Sequence, residues 1–446
     1  MKILHYSLGF PPYARGGLTK YAVDVAMEQK KHGHDVAMLW PGTIMRFGCP
    51  KIVKTRDYFG IKSYELKNPE FLPQIYGIKE FEQFQVDVNT KVYIKFLQKM
   101  KPDIIHIHTL MGMHINFLEA ARQLGVKTVY TTHDFFGICP KSTLFFNKKS
   151  CKDNFDCSGC AVCCENALGI NKMRVLQSRF YRSVKNTKFV EKVRVNQKEK
   201  VFALEDKVKE VDENNELAKE RYARLREGYL EYFKRITVIH YNSSYMKAVF
   251  ETYMDIEKGI VCNITHSEIK DNKYQYNKEI QNNVLQITYM GPIAEYKGFY
   301  LLKNVLDKLY EEGIQNFQLT IYHEISNPEP YMKVMPPYRY ENLNQVMNRA
   351  DIVVALHDVS YGFTVLEALS YGVPVFVTEE VGAKDLVIHN ETGVICEYNF
   401  ESVKENIRSL LEDLEKVESM KKNIKEKFKV PEMEEHIKEL IQTVYK

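Results

Sequence analysis

The chain has 446 residues, which at about 100–200 residues per domain means two to four domains, most simply two. With 45% hydrophobic and 27% charged residues it is globular in composition, neither collagenous nor disordered, and long enough to build its cores without disulfides. Lysine and arginine number 62 against 58 aspartate and glutamate, and this net +4 argues against a dedicated nucleic-acid binder. No apolar run approaches the roughly 20 residues of a transmembrane helix. Met1 to Ser7 has no charged region ahead of a long apolar core, so a cytoplasmic protein is expected.

The first elements alternate. Lys2–Tyr6 reads as a strand, Gly9–Gly17 as a loop rich in breakers, and the stretch from Tyr21 towards Lys31 as a helix. Strands follow at Asp35–Trp40, Asp103–His108 and Val126–Thr132, with a helix over Ile115–Leu124. This rhythm predicts a parallel sheet wound on both faces. Six of the nine cysteines then crowd into 139–164: Cys139, Cys151, Cys157, Cys160, Cys163 and Cys164. An odd total in a cytoplasmic chain speaks against a disulfide framework.

Residues 166–235 interrupt the rhythm with a helical insertion. Between Asn171 and Lys200 ten cations face two acids, Glu191 and Glu199. Interleaved apolar residues such as Phe180 and Phe189 give a basic amphipathic stretch suited to an anionic membrane surface, or to a solvated helix face. From Val201 a seam runs through Leu204, Val208, Val211, Asn215, Ala218, Tyr222, Leu225 and Tyr229 to Tyr232 at alternating spacings of three and four. It predicts a long helix over 201–232 that packs on its own chain or binds a second copy or a partner.

Strands resume at Thr237–Tyr241 and Gly259–Ile264, a polar linker is expected at 266–283, and a second α/β domain at 284–430. Its strands are placed at Val284–Gly291, Phe317–Tyr322, Asp351–Leu356 and Val373–Thr378. Charged helix fills Glu401–Lys429, and a last helix, 431–446, follows Pro431.

Four segments carry chemistry. Gly16-Gly17 after the first strand lets backbone N–H groups approach an anion or sugar. Gly291 to Gly298 links a strand to a helix and holds Lys297, a cation for a diphosphate. Glu367 is a single carboxylate in the apolar stretch after Gly362-Phe363-Thr364, suited to a pair of ribose hydroxyls. His133 follows a strand end, the edge where open α/β sheets bind ligands.

Together these motifs resemble family 4 of the retaining GT-B glycosyltransferases. The resemblance rests on Gly16-Gly17, Gly33-His34-Asp35-Val36, His133-Asp134, Gly291 to Lys297, Val359 to Glu367, Gly382 to Val387 and Asn390 to Gly393. It spans nearly the whole chain outside 166–235. It implies two Rossmann-like doubly wound domains facing a cleft: an acceptor-side domain over 1–265, a nucleotide-sugar domain over 284–430, and a final helix that crosses back to the first. It implies catalytic roles for His133, Lys297 and Glu367, and donor contacts from Gly16, Gly17, Gly291, Lys297, Gly362, Phe363, Thr364 and Glu367. The donor would be a UDP-sugar first and a GDP-sugar next. The acceptor would be a glycan or lipid-linked glycan, at the inner face of the cell membrane. Two positions depart from the family pattern: Pro292 stands for its arginine and Val359 for its first glutamate. An inactive scaffold of the same fold, acting through the heptad helix, is the alternative. No D-x-D pair occurs, so no catalytic divalent metal is expected.

The cysteines are separate chemistry. Cys151, Cys157, Cys160 and Cys163, with Cys139 or Cys164 as alternates, have spacings compatible with structural zinc, with an iron–sulfur centre or with plain thiols.

Overall fold

The computed structural model describes residues 1–45, 48–73, 76–151, 157–190, 192–194, 208–211, 215–275, 279–357 and 361–446. The chain divides into two compact units, one of 1–242, 246–262 and 433–446, the other of 243–245 and 263–432.

The first unit is built on an eight-stranded sheet. Its strands are β1 (Lys2–Tyr6), β2 (Asp35–Pro41), β3 (Lys51–Lys54), β4 (Lys62–Lys67), β5 (Ile104–Ile107) and β6 (Lys127–Thr131), then β9 (Val238–Tyr241) and β10 (Gly259–Val261), with a small hairpin, β7 (Phe145–Phe146) and β8 (Lys149–Ser150), between them. The order is β10-β9-β6-β5-β1-β2-β4-β3, and only the edge strand β3 is antiparallel. The chain winds outward from β1 in one direction and restarts at β5 in the other, so the switch point lies between β1 and β5. All of β5 and β9 is buried, as expected of parallel strands covered on both faces.

The second unit has six parallel strands: β11 (Leu285–Tyr289), β12 (Phe317–Ile321), β13 (Met332–Val334), β14 (Ile352–Ala355), β15 (Val375–Thr378) and β16 (Gly393–Cys396). Their order, β13-β12-β11-β14-β15-β16, puts the switch point between β11 and β14. The helix Phe299–Glu311 turns Leu302, Val305, Leu306 and Leu309 into the core, a helical spacing, and Phe400–Glu412 adds Val403, Ile407 and Leu410.

Three sequence expectations change. The heptad seam is not one helix. Val208 and Val211 are irregular, and the helix begins only at Glu216. Asn215, expected in the seam, is instead its N-cap, its side-chain oxygen accepting the Ala218 N–H at 3.2 Å, a position that asparagine favours over a helix interior. Val201 and Leu204 lie outside the described residues. Tyr222, Leu225, Tyr229 and Tyr232 are buried within their own unit: Tyr222 donates to the Ile78 carbonyl at 2.8 Å, and Tyr229 meets Phe136 edge-on at 4.8 Å. No face of that helix is left apolar for a partner seam at these four positions.

The basic stretch is likewise not one helix. Ile170–Leu176 and Arg179–Val184 are separated at Ser178, whose hydroxyl caps the second by accepting the Tyr181 N–H at 3.1 Å. Arg182 pairs with Glu65 at 3.1 Å and lies 4.2 Å over the Trp40 ring, so this cation is committed to the fold.

The polar residues before β11 are packed onto the second unit rather than spaced away from it. The Asn272 N–H donates to the Ser370 carbonyl at 2.8 Å, and the Lys273 ammonium donates to the Phe428 carbonyl.

Met433–Glu439 forms a helix that widens over Leu440–Val444 and closes with the Tyr445 N–H on the Leu440 carbonyl at 2.9 Å. This segment belongs to the first unit and packs on the helix Gly17–Lys31, where the Tyr21 hydroxyl meets His436 Nε2 at 2.7 Å. Among the described residues no helix is long and apolar enough to cross a membrane.

Candidate active site

In the second unit the expected residues gather at the C-terminal ends of β11 and β14, the two sides of the switch point. The loop after β11 ends in a short 3-10 turn, Glu295–Lys297, and in Gly298, which opens the next helix. Gly298 has φ +74, and a Cβ there would stand 2.7 Å from the Leu356 Cβ, so only glycine lets this loop rest on the end of β14. Tyr289 braces the loop from beneath: its hydroxyl donates to the Pro292 carbonyl at 2.9 Å and lies 3.3 Å from that of Lys297. His357 completes the bracing, Nδ1 donating to the Tyr296 carbonyl at 2.6 Å and Nε2 standing 3.5 Å from Glu380.

After β14, Gly362 at φ +85 begins the helix Phe363–Ser370 without a side-chain cap, and the first-turn N–H groups of Phe363 and Thr364 have no partner within the helix. Glu367 sits one turn on, 7% exposed. Its Oε1 lies 3.6 Å from His266 Nε2, while its buried Oε2 has no hydrogen-bond partner among the described residues. An orphaned carboxylate oxygen in a buried position is costly unless a ligand supplies donors. Gly291, Lys297, Gly362, Phe363, Thr364 and Glu367 therefore share one edge of one sheet. Val359 lies outside the described residues.

In the first unit Gly16, at φ +109, opens the helix Gly17–Lys31 with no side-chain cap. Tyr21, one turn into it, has its ring centroid 5.1 Å from that of His133. His133 follows β6, is 6% exposed, and hydrogen-bonds through Nε2 to His108 Nδ1 at 3.3 Å. Burial lowers its pKa to about 3, so the ring is neutral. Asp134 beside it accepts the Phe136 N–H at 2.9 Å, and burial pushes its pKa up to about 6.

The cysteines converge, and the alternate Cys139 stands with Cys151, Cys160 and Cys163. Cys139, Cys151, Cys160 and Cys163 line a cavity of about 20 Å³ together with Leu144, Phe145 and Arg226. Cys157 is buried and pairs with Cys160, and Cys164 pairs with Cys163. Burial raises the thiols of Cys139 and Cys151; at Cys160 and Cys164 the hydrogen bond that the thiol donates to Cys157 and to Cys163, respectively, leads, and burial adds to it. Among the described residues, the groups of three potential ligand atoms lying within 4.8 Å of one another include no cysteine trio. The thiols as they stand are thus more open than a tetrahedral zinc cage, with Zn–S bonds of about 2.3 Å, requires.

Sequence reasoning missed the bracing tyrosine Tyr289, the partner His266, and a row of histidines behind His133: His5, His106, His108 and His240, all fully buried. The readable signal was His106-x-His108, since a spacing of two puts both rings on one sheet face.

Two family models match: "Glycosyltransferase Family 4" over residues 15–150 and "Glycosyl transferases group 1" over 271–427. Among solved structures, sucrose-phosphate synthase from Thermosynechococcus elongatus is similar at 13% identity and a TM-score of 0.56, covering 99% of this chain and 97% of that one. HepE from Anabaena, in complex with UDP and glucose, follows at 14% identity and a TM-score of 0.53, covering 100% and 99%. The catalytic domain of starch synthase IV from Arabidopsis thaliana, bound to ADP and acarbose, gives 11% identity and a TM-score of 0.54, covering 99% and 98%. No curated protein sequence matches the chain. At these identities the structures establish a common architecture, the GT-B fold.

Proposed function

Because the chain belongs to the family 4 glycosyltransferases of the GT-B fold, we propose that it moves a sugar from a nucleoside-diphosphate donor to a glycan or lipid-linked glycan with retention of configuration. One observation carries the donor reading: the open helix start at Gly362, the braced Lys297 loop and the unpartnered Oε2 of Glu367 meet at one switch point. Lys297 neutralises the leaving diphosphate, the N–H groups of Phe363 and Thr364 donate to its oxygens, and Glu367 accepts both ribose hydroxyls. Within the first unit Gly16 and Gly17 allow close backbone approach to an anion or sugar, and His133 is proposed to orient a sugar. Catalysis then rests on positioning and on stabilising the departing charge, without a covalent intermediate on the enzyme. UDP is the preferred base, in keeping with the UDP held by HepE, and GDP is next.

The acceptor side is proposed to work at an anionic membrane surface, in surface polysaccharide synthesis. Phe180 and Phe189 are 74% and 77% exposed among the cations of 172–194, an apolar tip in a basic setting. Flotation with anionic liposomes tests this: Phe180→Asp with Phe189→Asp releases the protein, and equal flotation of the double variant excludes that contact. For the cysteines, a structural zinc would draw Cys139, Cys151, Cys160 and Cys163 together. Metal analysis of the purified protein decides between zinc and plain reduced thiols.

The donor reading is tested by incubating the protein with UDP-, GDP-, ADP- and dTDP-sugars and following nucleotide release. Release from one donor, lost in Lys297→Ala and Glu367→Ala, is expected. No release with acceptor present, and no shift of melting temperature by any nucleotide, overturns it in favour of the scaffold alternative.

A further inference from the structure

His133 ends a continuous buried hydrogen-bond chain that crosses one face of the first sheet. Its far end is the Cys262 carbonyl, 2.8 Å from His240 Nε2. His240 Nδ1 lies 2.8 Å from Thr131 Oγ1, which lies 2.6 Å from His106 Nε2. His106 Nδ1 is 2.7 Å from the Tyr445 hydroxyl, and that hydroxyl is 2.8 Å from Gln29 Nε2. Gln29 Oε1 is 2.8 Å from His5 Nε2, His5 Nδ1 is 3.0 Å from His108 Nε2, and His108 Nδ1 is 3.3 Å from His133 Nε2. The sheet sets this row: His5 pairs in register with His106 across β1 and β5, and Thr131 with His240 across β6 and β9.

One end determines every proton. A carbonyl oxygen only accepts, so His240 must carry its proton on Nε2, leaving Nδ1 bare. Thr131 must then donate to His240 and accept from His106 Nε2–H. His106 Nδ1 is therefore bare and takes the Tyr445 hydroxyl proton, so Tyr445 accepts from the Gln29 amide nitrogen. That turns Gln29 Oε1 towards His5, which must donate through Nε2. His5 Nδ1 accepts from His108 Nε2–H, and His108 Nδ1 accepts from His133 Nε2–H. Each link has one donor and one acceptor only when His5, His106, His108 and His240 are neutral. A proton added to His5, His106, His108 or His240 would set two donors face to face, while at His133, the end of the chain, burial keeps the ring neutral. Burial disfavours such a charge at all five rings.

We infer that Gln29, His5 and His108 are positioning residues that hold His133 as the Nε2–H tautomer and leave its Nδ1 as a bare hydrogen-bond acceptor. His133 Nδ1 makes no hydrogen bond among the described residues. Resting on the proposed role of His133 at the donor sugar, this makes its ligand contact a hydroxyl that donates, since a phosphate oxygen offers no proton. The chain also accounts for the trio His5, His106 and His108, whose ligand atoms lie within 4.8 Å of one another. Every nitrogen there is already a donor or an occupied acceptor, so a metal ion would have to break the chain.

The test reads tautomers directly, by long-range proton–nitrogen correlation spectra of protein carrying ¹⁵N-histidine, without substrate. All five rings should show protonated Nε2 and bare Nδ1 from pH 6 to 8. Gln29→Met removes both amide groups at similar volume. It should leave His240 unchanged, being held by the carbonyl, while His133 averages between tautomers. Tyr445→Phe cuts the chain one link earlier and serves if the first variant does not fold. An Nδ1–H signal on wild-type His133, or a His133 signature unmoved by both variants, overturns the inference. Where donor turnover is measurable, kcat should fall roughly tenfold in Gln29→Met, about one hydrogen bond's worth, with donor KM little changed. A protein with the expected tautomers but no turnover with any donor would leave the chain standing and remove the glycosyl-transfer reading instead.

Discussion

The Tyr289 hydroxyl stands 3.3 Å from the main-chain carbonyl of Lys297, so a core tyrosine of β11 holds the loop that carries the candidate diphosphate cation. The same hydroxyl donates to Pro292, the residue that replaces the family's arginine, at 2.9 Å. With one cation fewer, the loop depends more on being held in place. Tyr289→Phe is expected to weaken donor binding about fivefold, the value of one hydrogen bond near 1 kcal/mol. A nucleotide titration followed by melting temperature checks it, the unliganded melting temperature changing little.

Lys297 and Glu367 should separate kinetically. Removing a cation aimed at developing charge costs about 10²–10³ in kcat, so Lys297→Ala is expected to lose rate far more than affinity. Glu367→Gln keeps the shape of the side chain and removes its charge. A ribose contact made equally in ground and transition states raises donor KM with little change in kcat. Steady-state kinetics on both variants decide this.

Stability should fall on the acid side. His5, His114 and His240 are lowered by burial to about 4, and His133 and His436 to about 3. Their unfolded values lie near 6.5, so below that pH the unfolded chain binds protons that the folded rings refuse. The stability due to neutral rings is full above pH 6.5 and is lost progressively towards pH 3–4. Melting temperatures across pH 4–8 should show this slope.

Glu70 works in the opposite direction. It accepts from the Tyr232 hydroxyl at 2.9 Å and the Val86 N–H at 3.0 Å, and burial raises its pKa to about 8. A raised carboxyl favours the fold below its unfolded pKa of about 4.5, and the advantage disappears as pH rises to 8. Glu70→Gln keeps an acceptor for Tyr232 and cannot ionise. The variant should gain melting temperature relative to the parent at pH 8 and lose that gain at pH 5.

Leu225 is 6% exposed inside the first unit, so Leu225→Asp should lower the melting temperature by the same amount at every protein concentration. An intermolecular seam would make the loss depend on concentration, because mass action couples association to folding. Melting curves over a hundredfold dilution series distinguish the two.

Periodicity made the strands legible. Ile104–Ile107 and Val375–Thr378 read as buried strands because continuous apolar runs are what a sheet covered on both faces demands. Glycine at Gly298 and Gly362 was legible too, because strand–glycine–helix junctions have few other solutions. The heptad misled because a spacing of three and four describes any helix with one buried face, and it does not register where the helix starts. Asn215 was a local signal for that start, and its capping role was overlooked in favour of the longer pattern.

By itself the sequence determined two α/β units, the Lys297 loop, Glu367 and His133, since each follows from local pattern or a short motif. Tertiary structure alone decided what stands behind them. The Gln29–Tyr445 bond joins positions 416 apart, and His106 meets Tyr445 across 339. Such pairs carry no sequence spacing, because the packing of the final helix segment on the sheet creates them. Buried donors must then find acceptors wherever the fold brings them, and that requirement, not proximity along the chain, sets which nitrogen of His133 is bare.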